Sequence, residues 1–202
     1  MKKLILFDLD GVLFNTKKNM ERAWNDVKKE FGINIDFKFY FKLIGIPFNQ
    51  ILKKLHVDKN KKKIELFYKK KSIIYNKLIK IYPNVKTTLK YLRKKNYEIG
   101  VVTSKDKFRT TKLIKQYKLK FSVVICPSKK LRGKPFPDPI NKALNFLKVN
   151  QYNAFYVGDT IYDFLAAKRS FVKFIYASYG YGKLKKQRLL NIKKFSDLKK
   201  HF

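Results

Sequence analysis

The stretch ILFDLDGVLF, residues 5–14, sets Asp8 and Asp10 into a run that is otherwise apolar apart from one glycine. Its first half reads as a buried β-strand, where two carboxylates gain nothing. Alternation would put both acids on the same side of the strand. Burying even one unpaired carboxylate costs several kcal/mol. The pair therefore belongs where the strand ends, in the company of a cation.

Further apolar runs of β type lie at 98–104 (EIGVVTS), 121–126 (FSVVIC), 154–159 (AFYVGD) and 172–178 (VKFIYAS), beside the first at 4–8. Helical patterns at 85–95, 107–117, 139–147 and 161–168 separate the later ones. Strands alternating with helices predict an α/β fold, a parallel sheet covered on both faces. In such sheets the functional crevice lies beyond the carboxyl ends of the strands. Asp8, Thr103 and Asp159 each fall at such an end.

The interval between the first two of these strands is too long for a simple crossover. It reads as helices at 17–31, 37–43, 48–55 and 59–81. This predicts a helical module over 15–81, inserted above the crevice into a core made of 1–14 and 82–202. Pro83 marks the return to the core. Within the module, LIGIPFNQIL (43–52) places Gly45 and Pro47 between two apolar helical patterns, a turn between helices read from its breakers.

At 202 residues and 45% hydrophobic, the chain can bury one good core with a small insert. A lone cysteine, Cys126, excludes an internal disulfide framework and fits a reducing compartment. The apolar start is cut short by Asp8, unlike a secretory signal. No run approaches the roughly 20 apolar residues that span a bilayer. A cytoplasmic protein without a membrane partner is expected. The net charge is +35, yet only six of the 49 basic residues are arginine, the side chain suited to bidentate phosphate and base contacts. The lysines are spread along the whole chain. They predict a basic solvated surface that attracts anionic substrates and binds nucleic acid without specificity.

With only 14 acidic residues in the chain, their placement is informative. Two more, Asp159 and Asp163, occur in VGDTIYD, where a strand gives way to a helix; a four-residue spacing puts them on one helical face. Carboxylates about 5 Å apart repel by roughly 3 kcal/mol per pair at an effective dielectric of about 20. A hard divalent cation removes that penalty. All-oxygen ligation suits magnesium, and no Cys/His cluster competes for a softer metal.

FDLDGVLF, VVTSK, GKPFPDP and GDTIYDFLAAK occur in the order and context of the four motifs of the haloacid dehalogenase superfamily. The chain most resembles its phosphoglycolate-phosphatase-like branch, with a helical cap between the first two motifs. The resemblance implies a doubly wound, Rossmann-like core carrying an inserted α-helical cap. It also implies Mg2+-dependent hydrolysis of a small phosphorylated metabolite, phosphoglycolate or a sugar phosphate. On the matching positions, Asp8 is the nucleophile that forms an aspartyl-phosphate, and Asp10 the general acid and then base. Thr103 and Lys134 bind the phosphoryl group. The metal is held by Asp8, the backbone carbonyl of Asp10 and Asp159, with Asp163 supporting that shell. The Gly45–Pro47 turn, with Phe48 and Asn49 after it, is placed over the site as a specificity loop. A monomer or weak dimer is expected. Two other readings stay open: a phosphosugar mutase of the same superfamily, whose last motif often carries Glu-Asp where this chain has Gly158-Asp159, and a non-catalytic polyanion-binding protein.

Overall fold

The computed structural model describes residues 2–184 and 189–202. Strands β1 (Lys3–Phe7), β4 (Tyr97–Val102), β5 (Val123–Ile125), β6 (Ala154–Gly158), β7 (Lys173–Ala177) and β8 (Leu190–Ile192) form one sheet. Two short strands, β2 (Phe14–Asn15) and β3 (Lys80–Ile81), pair apart from it. The sheet order is β5-β4-β1-β6-β7-β8, and every neighbouring pair is parallel.

Because β1 is central, it must be apolar on both faces. Ile5 and Phe7 enter one buried cluster with Val101 and Val157, while Leu4 and Leu6 enter another with Ile140 and Ala143. Each such side chain contributes roughly 1.5–3 kcal/mol by leaving water. Helices α5 (Val85–Lys94), α6 (Lys107–Gln116), α7 (Asp138–Leu147) and α8 (Ile161–Arg169) cover the sheet. The chain runs outward from β1 through β4 to β5, then returns to β6 on the other side of β1. That reversal opens a crevice at the carboxyl end of β1.

The cap consists of α1 (Lys17–Phe31), α2 (Phe37–Phe41), α3 (Phe48–Lys54) and α4 (Lys61–Ile74). Met20, Ala23, Trp24 and Val27 recur at helical spacing on α1 and enter a third cluster of the cap's own. Trp24 is fully buried there, stacked on Tyr40 at 4.8 Å. Gly32 ends α1 in the left-handed region at φ 61°. The two passages between core and cap lie side by side as β2 and β3, antiparallel, with Phe14 opposite Ile81.

Two elements differ from the sequence reading. The helix expected over 59–81 stops at Ile74, gives a 3-10 turn over Tyr75–Leu78, and ends as β3. Its apolar residues continue past Ile74, so periodicity alone carried the helix too far. Strand β8 has no counterpart among the apolar runs, because only Ile192 of its three residues is buried. Among the described residues, no helix is long and apolar enough to cross a membrane.

Candidate active site

Asp8 directly follows β1, its N–H donating to the Val157 carbonyl at 2.9 Å. The chain then turns tightly, the N–H groups of Leu13 and Phe14 both donating to the Leu9 carbonyl at 3.0 Å. Gly11 makes the turn possible. Its φ is +87°, and a Cβ there would lie 2.3 Å from Asp159 Oδ2. Asp8 is thereby buried at the crevice floor, and Asp10 stands at its wall with 13% of its side chain exposed.

Lys134 supplies the cation that the first stretch required. Its buried Nζ donates to Asp8 Oδ1 at 2.9 Å, to Asp163 Oδ1 at 2.6 Å and to the Tyr156 hydroxyl at 3.1 Å. Burial works to lower the lysine's pKa, but Asp163 and Asp8 outweigh it and hold the group above its ordinary value. Asp163 is fully engaged. Its Oδ2 accepts from the Thr160 N–H at 2.9 Å and the Thr160 hydroxyl at 2.6 Å, closing a capping box at the start of α8.

Asp159 ends β6 with no exposure. Its Oδ2 accepts from the Tyr181 N–H at 2.6 Å, while its buried Oδ1 has no partner among the described residues. Oxygens of Asp8, Asp159 and Asp163 lie within 4.8 Å of one another. Burial pushes the Asp8 carboxyl up to about 7, against the pull of Lys134 and with added repulsion from Asp163 and Asp10. Burial, then Asp163 and Asp8, push Asp159 well above the ordinary carboxylate range. Three buried carboxylates facing one lysine, with an orphaned oxygen among them, suit a hard divalent cation. Of the three, Asp163 already accepts hydrogen bonds on both oxygens, from Lys134 and Tyr156 on Oδ1 and from Thr160 on Oδ2.

Thr103 follows β4 and is buried in the crevice, its Oγ1 accepting from the Lys105 N–H at 3.1 Å. A cavity of about 40 Å³ between core and cap is lined by Asp8, Asp10, Thr103 and Lys134 from the core and by Gly45 and Phe48 from the cap. The Gly45 carbonyl accepts from the Ser104 hydroxyl at 2.7 Å and so ties the cap turn to the end of β4. Gly45 sits at φ +107°, and a Cβ there would meet Thr160 Oγ1 at 2.7 Å.

Pro47 packs against Gly133 beside Lys134, but Asn49 is not brought to the cavity. It is exposed in the first turn of α3, where its Oδ1 accepts from the Gln50 N–H at 2.9 Å. The helical phase of α3 turns Phe48, not Asn49, toward the cavity. Phe48 stacks on Tyr68 at 4.3 Å. Asn49→Ala should leave kcat/KM within about twofold for every member of a phosphate-ester panel, as for an exposed residue away from special contacts. A reordering of that panel would return Asn49 to the site.

Sequence reasoning missed Lys105, Arg109, Tyr156, Thr160 and Tyr181. Lys105 is buried, its Nζ 3.1 Å from Asp10 Oδ2. Burial lowers its pKa against the opposing pull of Asp10. The Tyr181 hydroxyl accepts from the Thr16 N–H at 2.5 Å, linking the loop that holds Asp159 to the cap passage. In so lysine-rich a chain nothing local marked Lys105, and nothing local marked Tyr181.

The model of the haloacid dehalogenase-like hydrolases matches residues 5–177, and the chain belongs to that family. It is 31% identical over 195 residues to a phosphoglycolate phosphatase of Aquifex aeolicus, covering 92% of this chain and 89% of that one. It is 27% identical over 178 residues to the pyrophosphatase PpaX of Halalkalibacterium halodurans, covering 87% and 83%. The crystal structure of a hydrolase from Pseudomonas syringae superposes with a TM-score of 0.86 at 21% identity, over 99% of this chain and 97% of that one, a likeness of fold. The chain is thus a phosphoric ester hydrolase of the haloacid dehalogenase type.

Proposed function

We propose that this chain is a magnesium-dependent phosphatase that hydrolyses a compact phosphorylated metabolite through an aspartyl-phosphate on Asp8. Phosphoglycolate or a sugar phosphate is the substrate, and the relative named phosphoglycolate phosphatase supports the former. The observation that carries the reading is the Asp8–Lys134–Asp163 bridge beside an Asp159 oxygen left without a donor. Asp8 attacks phosphorus while Lys134 and Thr103 stabilise charge on the phosphoryl oxygens. Asp10 protonates the leaving oxygen, then takes a proton from the water that opens the aspartyl-phosphate. Asp10 Oδ1 is buried without a hydrogen-bond partner among the described residues, which leaves it open to the leaving group. Lys105 orients that carboxyl through its other oxygen. Magnesium held by Asp8, the Asp10 backbone carbonyl and Asp159 would neutralise the clustered carboxylates and the phosphoryl group. Asp163 holds Lys134 and the α8 terminus in register. The cap over 15–81 closes the crevice against water.

Hydrolysis of an aryl phosphate by purified protein should require magnesium and stop with a chelator. Activity undiminished by chelation would sink the metal assignment. Thermal melts give a second readout. Asp8 and Asp159 have raised pKa values in the metal-free fold, so the native form holds protons that the unfolded chain releases. The Asp8 contribution to stability is present at acid pH and is lost as pH climbs through about 7, and burial pushes Asp159 in the same direction. Magnesium needs the ionised forms, so the rise in Tm that it causes should be larger at pH 8 than at pH 5.5. At 100-fold above its Kd, a ligand stabilises by about 2.7 kcal/mol. A Tm unmoved by magnesium at both pH values would count against binding here.

A further inference from the structure

Beyond the phosphoryl-transfer residues, one wall of the cavity belongs to the start of α6. Arg109 stands in its first turn with 9% exposure. Cations at a helix N-terminus oppose the macrodipole, and burying one adds a desolvation cost. The placement of Arg109 is nevertheless closely built. Its Nε donates to Asp106 Oδ2 at 2.5 Å, and the guanidinium carbon lies 5.3 Å from the centroid of the Tyr68 ring on the cap. The Tyr68 hydroxyl is 2.8 Å from that of Tyr40, and both tyrosines line the cavity. Arg109 lines it too, but its carboxylate partner Asp106 does not. The cavity therefore meets the cation without its counterion.

A second, smaller space of about 10 Å³ shares Lys105 and Arg109 as walls and adds Lys112. None of its described lining residues is acidic. Arg109 and Lys112, three positions apart on α6, face one direction, and Lys105 lies just before the helix. The charged side chains lining this second space are thus all cations. A guanidinium held at Nε and against an aromatic face is a fixed planar fork, suited to a carboxylate or phosphate.

We propose that Arg109, with Lys105 beside it, forms a second anion subsite, so that the substrate carries a carboxylate or a further phosphoryl group close to the phosphoryl group that is hydrolysed. The inference rests on the phosphatase reading above and narrows its substrates to compact diacids, at the expense of neutral sugars.

Binding to Asp8→Asn protein, which cannot form the aspartyl-phosphate, tests this without turnover. Calorimetry with magnesium present compares phosphoglycolate, inorganic pyrophosphate and ethyl phosphate, the last matching phosphoglycolate in carbon count but lacking its carboxylate. One of the two acidic ligands should bind at least about 30-fold more tightly than ethyl phosphate, as truncating a buried charge contact implies. Adding Arg109→Gln should shrink that advantage to within about threefold. Whichever acidic ligand loses its advantage identifies the second group as carboxylate or phosphoryl. Arg109→Lys keeps the charge without the fork and should fall between; it decides the matter where the glutamine variant melts early. The inference is overturned if neither acidic ligand outbinds ethyl phosphate, or if the advantage survives both substitutions. Failure of the phosphatase reading shows separately, as wild-type protein that hydrolyses no phosphate ester.

Discussion

Asp8→Asn should cut turnover of every phosphorylated substrate by at least about 10⁴-fold, because it removes the attacking oxygen while keeping the side chain's shape. It should not cost stability. Burial pushes the Asp8 carboxyl up to about 7, so above that pH the metal-free wild-type fold carries an ionised group that its surroundings resist. Asparagine carries no such charge and can still accept from Lys134. The variant's Tm without metal should therefore match or exceed that of wild type at pH 8, with the difference shrinking at pH 5.5 where Asp8 is protonated. Wild-type turnover in contamination-free variant protein would refute Asp8 as nucleophile. A collapsed Tm would show that the lost activity reports unfolding. Asp10→Asn has a different signature. General acid catalysis contributes about 10²–10⁴-fold where the leaving group needs a proton. An alkyl phosphate should then suffer that loss, and an aryl phosphate, whose phenolate leaves readily, much less.

How much of this was legible follows from what each signal depends on. The four acids of the site were readable because carboxylates are scarce in this chain and fall at the ends of apolar runs. Helix α1 was readable because its apolar residues keep strict period to Phe31 and a glycine follows. Strand β8 was not, since only Ile192 is buried and a lone apolar residue has no period. The lysines posed the reverse problem. In so basic a chain the residue type says nothing, and Lys105 and Lys134 differ from the others only in being buried against carboxylates. That burial comes from partners far along the chain. Lys134 meets Asp8 across 126 positions, and Ser104 meets the Gly45 carbonyl across 59. Arg109 faces Tyr68 only because the cap folds over α6, a placement that no local window contains. Asn49 shows how finely such a placement depends on helical phase. It lay in the right loop, but one helical position from the residue that faces the cavity.

Lys134→Met should be the most damaging single change to the fold of the site. The methionine matches the buried stem but leaves Asp8 and Asp163 without the ammonium they share at 2.9 and 2.6 Å. Breaking a buried ion pair from one side costs about 3–5 kcal/mol, which for a chain of this size lowers Tm by roughly 10 °C. The loss should depend on pH. Lys134 is what holds the Asp8 pKa down against burial, so its removal lets that carboxyl rise further and take up a proton. The deficit should be largest at pH 8, where charge is forced on the unpaired Asp8, and smallest near pH 5, where Asp8 is protonated. Adding Asp163→Asn to Lys134→Met removes one of the stranded charges and should recover part of the Tm at pH 8. Phosphatase activity should stay lost in both proteins, because no cation remains to face the phosphoryl oxygens from this side. A deficit equal at both pH values would mean that Lys134 acts through packing alone. In that case the second substitution should recover nothing, and the bridge would have no electrostatic role in holding Asp8 for attack.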